Sequence, residues 1–591
     1  MNPKNAVFCA SIAGILAASV SGCLDLKTTN TGTTGGQGGS AGSGQGGGGA
    51  DQVSSSSSGG ESSSSSSGGS GSSSSSSSST GGGACAPEGS MMSCYPGPPA
   101  TRGRGACVDG NITCQGGNWS VCMGFVVPIR EACDSQVDTN CDGRKGCSGV
   151  PAGGGTLGND EDDAIVAIAA AAGVNGNDGN VYGTGYHNAV VMPDGLPDSA
   201  QVLFVKRDPS GTLTDWSNQF DIVTTGSAWG RGLAINPKNE DIAIVGTYEN
   251  GSLNIGGQGL PATGTATFGF LAAFNAAGVS RFSKSFGNGG ITFVNDVAVD
   301  NVGNIYIGGK FNATIDFGGP TAVAIDGFDA FMASYTSTGT LRWKQVFAGN
   351  GDQSVEGLTV DSAGNVYAAT HFTGQVTITM NLNLIPDGAT DAVITAHNAN
   401  TGSYIWANHF GGAGDLVVTD ISSGTGTVAV VTAFRDTIDV GPASYTSTDG
   451  PTTWDTVVAA LESSGGAAMA SYPFISDGTQ VGLGVAVDSF GDIVVDGYFS
   501  TSLPLSGGLM DPTSGAGDTN AFVVKFDSML VPRWGHGYGN SLIQAFTDVA
   551  LDPATDHLFL GGGFQGILLG FGVNVPTSTG GFDALIGVMS N

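Results

Sequence analysis

Three groups of residues carry donors that could do chemistry. Asp138, Asn140 and Asp142 alternate ahead of Gly143, which is how a D-x-[DN]-x-[DN]-G calcium loop opens. Hard calcium takes several oxygens on a tight turn, and the glycine permits that turn. Gly149 stands where the final Glu of such a loop is expected, and Asp134 is near enough to add an oxygen. The expected metal ligands are Asp134, Asp138, Asn140 and Asp142, with Ca2+ as the ion and no other cofactor. The second group is eight cysteines: Cys85, Cys94, Cys107, Cys114, Cys122, Cys133, Cys141 and Cys147. No His and no C-x-x-C lies among them, which argues against zinc and dithiol redox chemistry. In an exported chain they predict four disulfides, with roughly a hundred pairings all open.

The third group is scattered. His187, His371, His397, His409, His536 and His557 show no ligand or triad spacing. Gly153-x-Gly155-x-x-Gly158 and Gly561-x-Gly563-x-x-Gly566 fit a dinucleotide fingerprint, but neither opens a helix after a parallel strand. With 101 Gly in 591 residues, such matches arise by chance. The Gly38 to Gly42 stretch fits a nucleophile elbow inside a tract that no fold can strain. Asp329, Asp391, Asp455 and Asp583 share one register, which assigns them to turns where Asp accepts backbone N–H bonds. Arg281, Arg342 and Arg533 each precede a strand aromatic and belong to the same framework, leaving Arg231 and Arg435 outside it. Glu356 and Glu249 break the register and are the acids to examine for catalysis. No nucleophile–base or acid–base set emerges, so non-catalytic binding or scaffolding is the expected function. A glycan hydrolase or lyase is the alternative, and metal capture by the Asp-rich segment a third.

The elements that must hold these residues begin with an export signal. Lys4 precedes an apolar run from Ala6 to Val20, too short to span a bilayer. Val20-Ser21-Gly22-Cys23 resembles the bacterial lipobox. The resemblance implies removal of residues 1–22, acylation of Cys23 and stable anchoring by several chains. Leu24, where an inner-membrane retention signal has Asp, implies the outer membrane or cell surface. Residues 23–83 are mostly Ser, Gly, Thr and Gln and form an expected disordered tether. From Lys27 to Gly83 the coil would average about 40 Å end to end.

Residues 84–149 form the expected disulfide-rich module. Cys94-Tyr95-Pro96-Gly97, Gly103-Arg104-Gly105-Ala106-Cys107 and Trp119 ahead of Cys122 resemble a module of surface lipoproteins in myxobacteria and their relatives. Its end resembles that family's acidic metal-binding motif, with Thr139 and Asn140 where the family has Asn and Asp.

Residues 150–591 repeat about every 60 residues. One piece recurs from Asn295, Glu356, Leu483, Thr547 and Arg231, with weaker copies at Thr419 and Ile165. A second ends each time in an aromatic: Tyr186, Tyr248, Phe311, Phe372, Phe434, Phe499 and Phe564. A third starts at the register aspartates, and a fourth centres on Trp216, Phe282, Trp343, Trp406, Tyr472 or Trp534. Repeated four-stranded units predict an all-β chain, a seven-bladed β-propeller behind the small module and tether. Seven copies of three pieces meet six of the fourth, so residues 150–157 are expected to supply the missing outer strand. Val299 to Tyr306 and Val360 to Tyr367 meet Val-Asp-x-x-Gly-Asn-x-Tyr and resemble the bacterial surface propeller repeat SBBP, related in pattern to NHL blades. That resemblance implies fold and surface location and transfers no catalytic set. The repeat region carries 12 Lys and Arg against 41 Asp and Glu, which excludes nucleic acid. The partners expected are a membrane through the lipid anchor only, and an extracellular protein or glycan.

Overall fold

A computed structural model describes residues 84–590 apart from 97–101, 128–136, 140–148, 159–161, 172–179, 192–196, 199, 208–215, 221–225, 257, 504, 506–518, 540–541, 554–556, 569–570, 572–576 and 579–580. The signal segment, Cys23 and the tether lie outside the described residues, as do Cys133, Cys141, Cys147, Asp134, Asn140 and Asp142. Apart from one 3-10 turn at Gly450–Thr452, every regular element described is a strand. None of the described residues forms a helix long and apolar enough to cross a membrane.

The amino-terminal module pairs Met91–Cys94 with Gly110–Gln115 and that strand with Asn118–Trp119. Disulfides Cys85–Cys114 and Cys94–Cys122 pin this sheet, and Cys107 is disulfide-bonded as well. So small a sheet buries little surface and needs the covalent staples. Asp138 is buried, and its carbonyl accepts the Ala106 N–H at 2.7 Å.

From Asp162 onward the chain forms successive four-stranded antiparallel meanders. Among the described residues there are seven, here sheets one to seven. Their first strands are Asp162–Ala170, Ser227–Ile235, Thr292–Val299, Gln353–Val360, Asp415–Ser423, Gln480–Val487 and Gln544–Leu551. Each first strand touches the next, and that of sheet seven touches that of sheet one, so the sheets close a propeller-like ring. The second strands are apolar at consecutive positions because neighbouring sheets cover both faces. Ile305–Phe311, Ile493–Phe499 and Leu558–Phe564 are buried at every residue.

The outer strand of sheet seven comes from the other end of the ring. Pro151–Leu157 pairs antiparallel with Asp583–Met589, and the Ser590 N–H donates to the Val150 carbonyl at 3.0 Å. The repeat count had left that place vacant, and the residues expected to fill it do so.

The recurring residues have local causes. Asp300 Oδ1 accepts the N–H groups of Val302 and Asn304, and its Oδ2 accepts Asn304 Nδ2 at 2.8 Å and the Tyr306 hydroxyl at 2.9 Å. Asp361, Asn365 and Tyr367 repeat the last three of these contacts. One carboxylate thus closes the hairpin between first and second strands and fixes the Val-Asp-x-x-Gly-Asn-x-Tyr pattern. The fourth-strand aromatics join sheets. Trp343 Nε1 donates to the Ala399 carbonyl of sheet four and Trp406 Nε1 to the Ser463 carbonyl of sheet five, each at 3.0 Å. Gly402 and Gly466 lie against those indoles with φ of 71°. A β-carbon in that left-handed turn would be strained and would strike the ring. Gly149 takes the same place on Trp534.

Candidate functional site

Every first strand carries a β-bulge at the same place. The extra residue falls between Ile165 and Ala167, Gly230 and Gly232, Val294 and Asp296, Val355 and Gly357, Val418 and Asp420, Gly482 and Gly484, and Phe546 and Asp548. A bulge re-aims the side chain it inserts. The seven extra residues are Val166, Arg231, Asn295, Glu356, Thr419, Leu483 and Thr547, and all seven line one cavity of about 70 Å³ at the axis. Each sheet thus presents one freely varying residue to the axis, at the position where its neighbours are held by packing.

The next residue has a different task. Asp296, Asp420 and Asp548 belong to alternate sheets: three, five and seven. Each carboxylate accepts one N–H from its own strand and one from the first strand of the following sheet. For Asp296 these are Val297 and Leu358, both at 2.7 Å. For Asp420 they are Ile421 at 2.7 Å and Val485 at 2.8 Å. For Asp548 they are Val549 and Ile168, both at 2.8 Å. Sheets two, four and six have Gly232, Gly357 and Gly484 there, because a β-carbon on Gly232 would come within 2.9 Å of Asp296 Cα.

Burial pushes the Asp296 carboxyl up to about 7, and the charge of Glu356 adds to that rise. Asp420 and Asp548 are raised well above the usual carboxylate range, first by burial and then by nearby carboxylates. The cations sit on one side of the axis. Arg231 Nη1 donates to Asn295 Oδ1 at 2.7 Å, and Asn295 Nδ2 donates to Glu356 Oε2 at 3.2 Å and the Val355 carbonyl at 2.9 Å. His371 Nδ1 lies 3.5 Å from Glu356 Oε1. Lys310 Nζ lies over Phe328 and Phe293 at 4.9 and 5.5 Å, and burial lowers its ammonium to about 8. Burial lowers His371 to about 4.

Asp296 and Glu356 together have the ingredients of an acid–base pair, but space limits what they can meet. Clefts that enclose organic ligands run to roughly 300–1,000 Å³. A cavity of about 70 Å³ holds a few waters or a small ion.

Of the residues singled out from sequence, Glu356 and Arg231 reach the cavity. Glu249 ends the second strand of sheet two, and its Oε2 accepts the Thr267 hydroxyl at 3.0 Å. Arg435 pairs with Asp415 at 2.6 Å and lies over Trp454. Asp329 fills the turn role expected of it, accepting the N–H groups of Ile325 at 3.0 Å and Gly349 at 3.2 Å. Arg342 bonds Tyr306 and Ser334 within the sheet framework. The bulge ring as a set was missed. Its only trace is the variable residue just ahead of an Asp or Gly in six of the first pieces and of Ala167 in the other, and strand periodicity gives no reason to turn it towards the axis.

The beta-propeller repeat family SBBP matches residues 281–314. Those residues span the fourth strand of sheet two and the first two strands of sheet three. No curated protein matches the chain. Among solved structures, quinohemoprotein alcohol dehydrogenase from Comamonas testosteroni is similar at 9% identity and a TM-score of 0.34, over 73% of this chain and 76% of that one. BamB from Moraxella catarrhalis is similar at 12% identity and a TM-score of 0.31, over 67% and 94%. A β-propeller fold is what the repeat match and the ring of sheets define.

Proposed function

We propose that the protein is a surface-anchored lipoprotein whose seven-bladed β-propeller binds an extracellular or envelope partner without catalysing a reaction. The observation that carries this reading is the narrow axis, where a cavity of about 70 Å³ is ringed by one bulged residue from each sheet. The three axial aspartates also spend their oxygens on backbone amides that join the sheets. Recognition then falls to the rim. Val323 and Ile325 follow the second strand of sheet three, and Met380 and Ile385 follow that of sheet four; all four are 66–96% exposed. Exposed apolar side chains on loops of a rigid ring suit a protein partner.

The test presents the purified full chain to envelope proteins and a panel of polysaccharides. Retention of one defined partner, lost in Met380→Asp/Ile385→Asp with the melting temperature unchanged, is the expected result. New reducing ends, abolished by Glu356→Gln in a folded protein, would overturn it. That outcome would establish the second reading, a glycan hydrolase or lyase, which the raised Asp296 beside Glu356 favours.

The anchor in this proposal is acylated Cys23, and calcium on Asp134, Asp138, Asn140 and Asp142 would rigidify the module above the tether. Cys23→Ala is expected to yield an unprocessed chain that no longer partitions into detergent. Unchanged partitioning and mobility on a gel would refute the anchor.

A further inference from the structure

We propose that Asp387, Asp391 and His409 form a binding site for a divalent metal of the zinc class on sheet four. One ligand atom from each lies within 4.8 Å of the others, a geometry that among the described residues only this trio has. His409 Nε2 is 2.8 Å from Asp391 Oδ2, and the His409 ring packs on Phe372. Both carboxylates face the space above Gly411, where a β-carbon would strike Asp391 Oδ2 and come within 3.2 Å of Asp387 Oδ2. Gly411 thus lets both carboxylates approach its backbone closely, where any side chain would collide with them.

Sheet three shows what the same framework does without ligands. Register aligns Asp391 with Asp329, since Phe372 pairs with Asp391 as Phe311 does with Asp329. It also aligns His409 with Val346, and the four-residue step back from each aspartate aligns Asp387 with Ile325. Two apolar positions flanking the turn aspartate have therefore become a carboxylate and an imidazole. The turn bond survives, because Asp387 N–H donates to Asp391 Oδ2 at 2.8 Å. The second bond does not. Asp329 Oδ1 accepts Gly349 N–H, whereas Asp391 Oδ1 has no hydrogen-bond partner although Asp391 is fully buried. An orphaned carboxylate oxygen inside a protein costs free energy unless a cation or donor meets it. The turn role assigned to Asp391 from sequence holds for Oδ2, which also meets His409 Nε2, while Oδ1 of the same carboxylate is left unpaired.

One imidazole with two carboxylates suits zinc and its neighbours better than calcium, which prefers six to eight oxygens. Three protein ligands leave one tetrahedral position for water, and Asp387 is exposed to solvent on that side. Entry of the metal replaces the hydrogen bond between His409 Nε2 and Asp391 Oδ2 by bonds from both residues to the ion, and the proton of that bond leaves to solvent. The site lies away from the axis and is independent of the binding reading above.

The test is calorimetric titration of the chelator-treated full chain with ZnCl2 in excess calcium, which occupies any oxygen-only loop. The wild type is expected to bind one equivalent more than either His409→Val or Asp387→Asn. The loss should exceed about 100-fold in affinity, since outer-shell changes alone cost about 10–100-fold. Equal stoichiometry and affinity in Asp387→Asn would overturn the site. Asp387 is exposed, so that variant decides the matter if His409→Val does not fold.

Discussion

Deletion of residues 150–157 is expected to abolish cooperative folding of the ring, a far larger effect than loss of an ordinary amino-terminal segment. Pro151–Leu157 contributes six registered pairs to Asp583–Met589. At about 0.5–1.5 kcal/mol net per hydrogen bond the ladder alone is worth several kcal/mol. A domain's entire stability is roughly 5–15 kcal/mol. Sheet seven would also expose an apolar third strand edge, buried throughout in the intact chain, and unpaired edges of that kind aggregate. The measurement is thermal unfolding of the deletion variant, with a peptide of residues 150–157 added in a second arm. A lowered or absent transition, partly restored by the peptide, is expected. An unchanged midpoint would show that the ring holds without its seam.

The second large effect belongs to the axial aspartates. Asp420→Ala removes the acceptor from two buried amides, Ile421 and Val485. At about 1–3 kcal/mol per orphaned group, roughly 2–6 kcal/mol of stability should be lost. The same carboxylates set a pH dependence of unusual sign. Asp296 is raised to about 7 from an ordinary value near 4, so the folded state holds a proton that the unfolded state has released. Its contribution is complete below about pH 4 and is lost as pH rises through 7. Asp420, Asp548 and Asp496 are also raised well above the usual carboxylate range by burial and act in the same direction. His371 and His397, both lowered to about 4, oppose them only where the unfolded histidines are protonated, below about pH 6.5. From about pH 6.5 to 7 the acids dominate, and the melting temperature should fall; nearer pH 8 Lys310, lowered to about 8, opposes them. Asp296→Asn should make that fall shallower, and a wild-type midpoint rising from about pH 6.5 to 7 would refute the assignment.

The periodic features of this protein were legible because repetition multiplies weak signals. A single Val-Asp-x-x-Gly-Asn-x-Tyr stretch proves little, but seven aromatic second-strand ends at regular spacing require a shape that uses them alike. The vacancy for an outer strand followed from counting, and Pro151–Leu157 fills it. The cysteine cluster likewise announced disulfides, of which Cys85–Cys114 and Cys94–Cys122 are two. Single-copy features were harder. Glu356 and Arg231 stood out by breaking register, and both line the axis. Glu249 broke register as well and is bound to Thr267 on the rim.

Sequence by itself therefore determined the repeat unit, its strand order and the place where the ring must be sewn shut. Each of these follows from local chemistry: apolar runs, turn residues and aromatic anchors that act within one sheet or on the next. Tertiary structure alone decided which side chains meet. A bulge shifts one residue per first strand towards the axis, and only closure of the ring brings Arg231, Asn295 and Glu356 around one cavity. Likewise, Asp387, Asp391 and His409 are 22 residues apart from first to last in the chain. They converge because antiparallel pairing lays the end of the fourth strand beside the start of the third. Strand register, which no residue carries alone, turns a turn aspartate and two substitutions into a cluster of ligands.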